Sequence, residues 1–409
     1  MKRRVVVTGM GGVCAFGEDW STVKSNLLKK SNAVVMMPDW DIYNGLNTKL
    51  AAPVQNFELP DDIYNRKKTR SMGRVALFAV RSSEYALREA GLIDDPLLGS
   101  GRVGVAYGSS TGNVDSVACF GDMILSHDTG GITGNTYVKM MPHTTSVNIA
   151  IFFGIKGRQI TTSTACTSGS QAIGYAYEAI AYGLQDVMVA GGAEELSPTE
   201  SAVFDTLFAT SCLNDSPKLT PRPFDKDRDG LVIGEGAATL VLEEYEHAKA
   251  RGATILAEVV GFASNCDASH ITQPQTDTIE VCIRNSLKDA GIDSSAIGYI
   301  NAHGTATDRG DIAESNATSK VFGSCVPFSS LKSYFGHTLG ACGSLEAWLS
   351  IKMMNEGWFT PTINLNNVDP QCGELDYIMH NVREIDCEYI QSNNFAFGGI
   401  NTSLVFRRL

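Results

Sequence analysis

The residues able to do chemistry in this chain stand where strands should end, beside glycines. Cys166 closes the run Gln159-Ile-Thr-Thr-Ser-Thr-Ala165 and opens a segment of small residues from Thr167 to Tyr177. A strand that hands a cysteine to the first turn of a buried helix puts its sulfur beside unpaired N–H groups. These favour the thiolate, which is the nucleophilic form. A second reading stays open, because an unpaired cysteine also packs as a small core hydrophobe. His303 lies in Asn301-Ala-His303-Gly-Thr305-Ala-Thr307 and His337 in Lys332-Ser-Tyr-Phe-Gly336-His337, two of only seven histidines. Two histidines at strand ends with Lys332 nearby suit hydrogen-bond donation or proton transfer, the plain alternative being packed or surface residues. The segment Phe395-Ala-Phe397-Gly398-Gly399 fits either backbone amides approaching a ligand behind a phenylalanine gate or a tight turn before the last strand.

Positioning these groups requires strands alternating with helices. The patterns predict strands over 5–8, 103–107, 159–163, 187–190 and 237–243, with helices over 21–29, 71–90, 168–182 and 245–250. After Arg251-Gly252-Ala253 the theme recurs, with strands over 255–262, 297–301, 390–394 and 403–407. Helices are expected there over 278–290, 311–322 and 345–355. Such alternation implies an α/β protein of parallel sheets covered by helices, in two halves, 1–252 and 253–409. No short repeat accompanies the recurrence. Gly9-Met-Gly11-Gly12 lacks the third glycine and the downstream acidic residue of a dinucleotide site, so a glycine turn is expected after the first strand.

A formal charge of −12 excludes broad nucleic-acid binding. Arg66-Lys67-Lys68, with Arg70 and Arg74, is the densest basic cluster and reads either as a docking patch for an acidic partner or as a solvated helix face. The ten cysteines form no Cys-x-x-Cys pair, which argues against metal sites and disulfide frameworks and fits a reducing, cytoplasmic setting. No stretch approaches the length of a membrane span.

Taken together, Thr164-Ala-Cys166-Thr-Ser-Gly169, Asn301-Ala-His-Gly-Thr305, Lys332 to His337 and Phe395-Ala-Phe397-Gly-Gly399 resemble the β-ketoacyl-acyl-carrier-protein synthases of the elongating Cys-His-His branch. Val189-Ala-Gly-Gly-Ala-Glu194 and Arg222-Pro-Phe-Asp-Lys-Asp-Arg-Asp-Gly230 extend the likeness, which runs from Arg4 to Phe406. The resemblance implies a thiolase-like fold, two similar halves layered α-β-α-β-α, and a decarboxylative Claisen condensation between an acyl and a malonyl thioester. It implies Cys166 as nucleophile, backbone N–H groups of Cys166 and Phe397 as oxyanion hole, and His303 and His337 as donors to the malonyl thioester oxygen. Lys332 would orient the second histidine. Thr305 and Thr307 would contact the pantetheine arm, with Phe397, Gly398 and Gly399 at the gate and Tyr107 lining the acyl pocket. Asp311, Glu314 and Glu346 would support the charge around Lys332. Glu346 and Asn301 match positions where some relatives hold a monovalent cation, which is not expected here, nor is a dissociable cofactor. Acyl carrier protein is the implied partner, in a homodimer or a heterodimer with a cysteine-less chain-length factor.

The chain departs from the family pattern at Tyr334, Phe335, Ala396, Ile400, Asp308 and Tyr107. Those departures leave two pathways open, fatty-acid elongation and a dedicated polyketide or polyene route. A non-catalytic partner subunit is disfavoured by the intact triad. A degradative thiolase is disfavoured because Asn394-Phe395-Ala396 offers no second cysteine at the gate.

Overall fold

The computed structural model describes residues 2–409. Five strands come from the first part of the chain: β1 (Val5–Val13), β2 (Val103–Gly108), β3 (Gln159–Thr162), β4 (Val187–Glu194) and β5 (Gly236–Glu244). Five more follow: β6 (Ala257–Cys266), β7 (Ile297–Asn301), β8 (Pro327–Ser329), β9 (Tyr389–Phe395) and β10 (Ile400–Arg407). The two sets share one spatial order, β3-β2-β4-β5-β1 and β8-β7-β9-β10-β6. They join where β1 and β6 pair antiparallel, Val5 opposite Val259 and Val7 opposite Ala257. With the short edge strand Asp376–Tyr377 they form one eleven-stranded sheet.

Helices fill three layers around the two sets. On the outer side of the first set lie α1 (Arg74–Glu89) and α2 (Thr144–Phe153), and between the sets lies α3 (Ser168–Ala181). The second set carries α4 (Thr276–Ala290) and α5 (Asp308–Phe322) outside, and α6 (Cys342–Glu356) joins α3 in the middle. This is the layered thiolase-like arrangement. Sequence dictates which helix goes where. Helix α1 is amphipathic, burying Val75, Phe78, Ala79 and Ala86 while Arg88 faces water. Helix α3 has no polar face and buries twelve of its fourteen residues, so it needs protein on every side. The N-termini of α3 and α6 meet closely: a Cβ at Gly343 would stand 2.6 Å from Cβ of Ser170.

Two expectations fail. Gly9, Gly11 and Gly12 form no turn but continue β1 to Val13. Helices close on that strand from both faces: a Cβ on Gly9 would lie 2.1 Å from the Ala86 carbonyl oxygen of α1, and one on Gly12 would lie 2.2 Å from the Trp348 ring of α6. Nor is the sheet parallel throughout. β2 pairs parallel with β3 and β4, and β7 with β8 and β9, but every pairing from β4 through β5, β1, β6 and β10 to β9 is antiparallel. The direction thus alternates across the six central strands, including where the two sets meet, and the parallel pairings are confined to the flanks.

Candidate active site

Cys166 is delivered by a tight elbow between β3 and α3. Ala165 carries the strain, with φ +50, in the left-handed region that a residue with a Cβ rarely adopts. Hydrogen bonds hold the elbow: Ser168 Oγ accepts from the Thr164 N–H at 2.9 Å and donates to the Ala165 carbonyl at 2.7 Å. Cys166 is 3% exposed at the entrance to α3.

His337 comes from the loop between β8 and α6. Its Nε2 stands 2.9 Å from Cys166 Sγ. Its Nδ1 accepts the Leu339 N–H at 3.3 Å, which leaves the neutral ring's proton on Nε2, facing the sulfur. His303 follows β7, its ring perpendicular to His337 with centroids 5.2 Å apart. Asn394 Nδ2 stands 3.5 Å from His303 Nδ1, so the proton of this ring too belongs on Nε2. The loop bearing His303 is clamped by Glu314 on α5, whose carboxylate accepts the His303 and Gly304 N–H groups at 2.7 Å each.

Beneath the triad Lys332 pairs with Glu346 on α6, both side chains shut off from water. Glu346 also accepts from Asn394 at 2.7 Å and Asn301 at 3.3 Å. Burial, then the Lys332 ammonium, pushes both histidines well below their ordinary pKa, so both are neutral. Burial works against charge on Lys332, but Glu346 outweighs it and holds the ammonium. Burial raises Cys166 to about 11, opposed by Lys332 and by the backbone N–H groups of Phe397 and Cys166 itself. Burial therefore works against the expected thiolate, and it is the largest influence on the sulfur, ahead of Lys332 and the helix terminus. Those same two N–H groups both point at the Cys166 sulfur.

These groups open onto a cavity of about 480 Å³ whose wall includes Phe395, Phe397, Gly399, Thr305 and Thr307. Gly398, with φ +88, instead donates its N–H to the Ile271 carbonyl. Asp311 and Glu314 hold backbone N–H groups, and only Glu346 contacts Lys332 directly. Tyr107 is misplaced by the sequence reading. Its side chain points to the outer face of β2, fully buried, with its hydroxyl 2.9 Å from Thr239 and 3.0 Å from Ser82. Side chains alternate along a strand, and its neighbour Ala106 takes the inner face. Arg66, Lys67 and Lys68 form an exposed turn of helix outside the cavity wall.

Sequence reasoning missed Cys342, whose thiol donates to the Cys166 carbonyl at 3.1 Å, and Arg228 and Phe204 in the cavity wall. Arg228 stood within the motif Arg222–Gly230 that extended the likeness, but no role was assigned to it. The thiol and the imidazole nitrogens of the triad lie within 4.8 Å of one another, close enough to gather on one soft cation. The Lys332 charge opposes a second positive charge there.

The chain matches the families described as "Beta-ketoacyl synthase, N-terminal domain" over residues 2–248 and "Beta-ketoacyl synthase, C-terminal domain" over residues 256–366. It is 38% identical over the whole of both chains to 3-oxoacyl-[acyl-carrier-protein] synthase 2 of Vibrio cholerae serotype O1. Among solved structures, a β-ketoacyl synthase from Burkholderia phymatum superposes with a TM-score of 0.98 at 61% identity, covering both chains fully. The ishigamide ketosynthase/chain length factor superposes at 0.89 with 32% identity, again over both whole chains. A buried cysteine under two neutral histidines, on a fold and sequence shared end to end with these proteins, places the chain in the β-ketoacyl synthase family.

Proposed function

We propose that this protein is an elongating 3-oxoacyl-[acyl-carrier-protein] synthase, an acyltransferase that lengthens an acyl chain by two carbons in fatty-acid synthesis. The observation that carries this reading is the meeting of Cys166 Sγ, two neutral imidazoles with Nε2–H groups and two backbone N–H donors at one buried cavity end.

In the first half-reaction Cys166 sulfur attacks the thioester carbonyl of acyl carrier protein. The oxyanion of the tetrahedral intermediate lies between the Cys166 and Phe397 N–H groups. The carrier's sulfur leaves, and the proton lost by Cys166 ends on that thiol. In the second, the malonyl carboxylate leaves as CO₂ and its electron pair moves into an enolate. The His303 and His337 Nε2–H groups donate to the enolate oxygen, charge that exists only as the bond breaks, so they stabilise the transition state selectively. The enolate carbon attacks the acyl-Cys166 carbonyl, the C–S bond breaks, and the Cys166 thiolate takes one proton from water. Lys332, held by Glu346, keeps both imidazoles neutral and adds positive potential. Thr305 and Thr307 grip the pantetheine arm, and the Phe397-Gly398-Gly399 loop gates entry.

The reaction needs no dissociable cofactor, because acyl groups arrive on the carrier protein's arm. Arg66, Lys67 and Lys68 are the proposed landing point for that acidic protein. Two halves, 1–252 and 253–409, a dimeric assembly and a cytoplasmic location complete the reading; no described helix is long and apolar enough to cross a membrane. A second reading, a ketosynthase subunit paired with a chain-length factor in a polyketide or polyene pathway, draws on the likeness to the ishigamide pair and on Tyr334, Phe335, Ala396 and Ile400. Incubation with acyl and malonyl carrier proteins, read by mass spectrometry, tests the activity. Absence of any β-ketoacyl product from a range of chain lengths overturns it. Co-purification with a cysteine-less homologue would select the second reading.

A further inference from the structure

The loop from Ala302 to Thr307 bears one histidine and both arm-gripping threonines, yet its backbone is strained. Ala306 sits at φ +65, left-handed for a residue with a Cβ. Four consecutive N–H groups of this loop are taken by two carboxylates one turn apart on α5. Glu314 accepts those of His303 and Gly304, and Asp311 those of Thr305 and Ala306 at 3.0 and 3.2 Å. The other side of the loop is held by Arg228. Its side chain is 3% exposed, and its guanidinium donates to the Thr307 carbonyl at 3.4 Å and the Asp308 carbonyl at 3.0 Å. The same guanidinium lies 3.6 Å from Asp311 and is anchored to Asp369 at 2.6 Å. So held, the Thr305 and Thr307 hydroxyls stand 2.9 Å apart on the cavity wall.

We infer that Arg228 is a positioning residue for the carrier arm: with Asp311 it holds the strained Thr305–Thr307 turn so that both hydroxyls meet the amide-bearing arm of the substrate. This rests on the ketosynthase reading and on the role proposed there for the two threonines. A buried guanidinium making several charge-assisted contacts at once is not replaceable by an ammonium, which lacks the fork. Relaxation of Ala306 would swing Thr305 and Thr307 together while leaving Cys166, on the other half of the chain, in place.

The test compares wild type, Arg228→Lys and Asp369→Asn on malonyl pantetheine thioester and on a malonyl alkyl thioester lacking the amides, with folding checked by thermal melting. Arg228→Lys should raise KM for the pantetheine substrate about tenfold, the size of one lost charge-assisted hydrogen bond, with kcat changed far less. Asp369→Asn should move KM in the same direction by less, and KM for the alkyl thioester should not move. In a Thr305→Val/Thr307→Val background, Arg228→Lys should add little, since its effect passes through those hydroxyls. Equal losses on both substrates, or an undiminished effect in the double-valine background, would overturn the inference. If Arg228→Lys does not fold, Asp369→Asn decides on the same two criteria. An inactive wild type would sink the ketosynthase reading instead.

Discussion

The connection from β3 to α3 and the connection from β8 to α6 occupy the same place in the two halves, yet they are built differently. Residues 163–167 make a tight elbow, whereas residues 330–341 make a loop more than twice as long. The short one holds a sulfur rigidly at a helix entrance and stores its strain at Ala165. The long one has room for Lys332 to reach Glu346 and for His337 to return over Cys166. The loops after the second strand of each half are instead held alike, each by a buried glutamate. After β2, buried Glu194 accepts the Ser110 N–H at 2.8 Å and the Ser109 hydroxyl at 3.0 Å; after β7, Glu314 does the matching work for His303 and Gly304. One topology used twice thus supplies the proposed nucleophile from one half and the proposed hydrogen-bond donors from the other. Glu194 also crosses between them, accepting the Gly340 N–H at 3.0 Å.

That division can be broken one side at a time. Cys166→Ala should cut condensation by about four orders of magnitude or more, the loss seen when a covalent nucleophile is removed. Acyl loading at the wild-type rate, read by intact-protein mass spectrometry, would move the nucleophile elsewhere. On the other half, His337→Ala should slow malonyl decarboxylation by about a hundredfold to a thousandfold, the usual cost of one oxyanion donor. Unchanged CO₂ release would remove it from that role.

The pH behaviour separates the halves further. With its thiol raised to about 11 by burial, free Cys166 should alkylate faster with each pH step from neutrality to at least pH 10, whereas a plateau near neutrality would mean a resting thiolate. With both imidazoles held well below 6.5, decarboxylation should not fall as pH drops through 6.5, since neither donor gains a charge there. Smaller still, Tyr107→Phe should leave chain-length preference unchanged and cost about 1 kcal/mol in a denaturant melt, one buried hydrogen bond. Reversing charge at Lys67 and Lys68 should weaken carrier-protein binding by about threefold to tenfold at low salt and negligibly at high salt.

The long elements were legible in the sequence because their burial patterns are periodic: α3, α4 and β7 lie within about two residues of where the apolar spacing puts them. The glycines of β1 were not, because a glycine in a strand and a glycine in a turn look alike until the helix that needs the space is known. Cys166, both histidines and Lys332 stood out by their company of glycines. Arg228 and Cys342 did not, since what distinguishes them is burial against particular partners, which only the fold creates. The balance at Cys166 was hidden for the same reason: a helix terminus can be read from sequence, but the depth of burial that opposes it cannot.

The central claim is that sulfur and imidazoles serve separate half-reactions. His303→Ala protein, loaded from acyl carrier protein and then given malonyl carrier protein, tests it most directly by intact mass. The acyl group should form on Cys166 and stay there while wild type is discharged to β-ketoacyl carrier protein. Discharge of the variant at the wild-type rate, or failure of Cys166 to load at all, would contradict the division of labour.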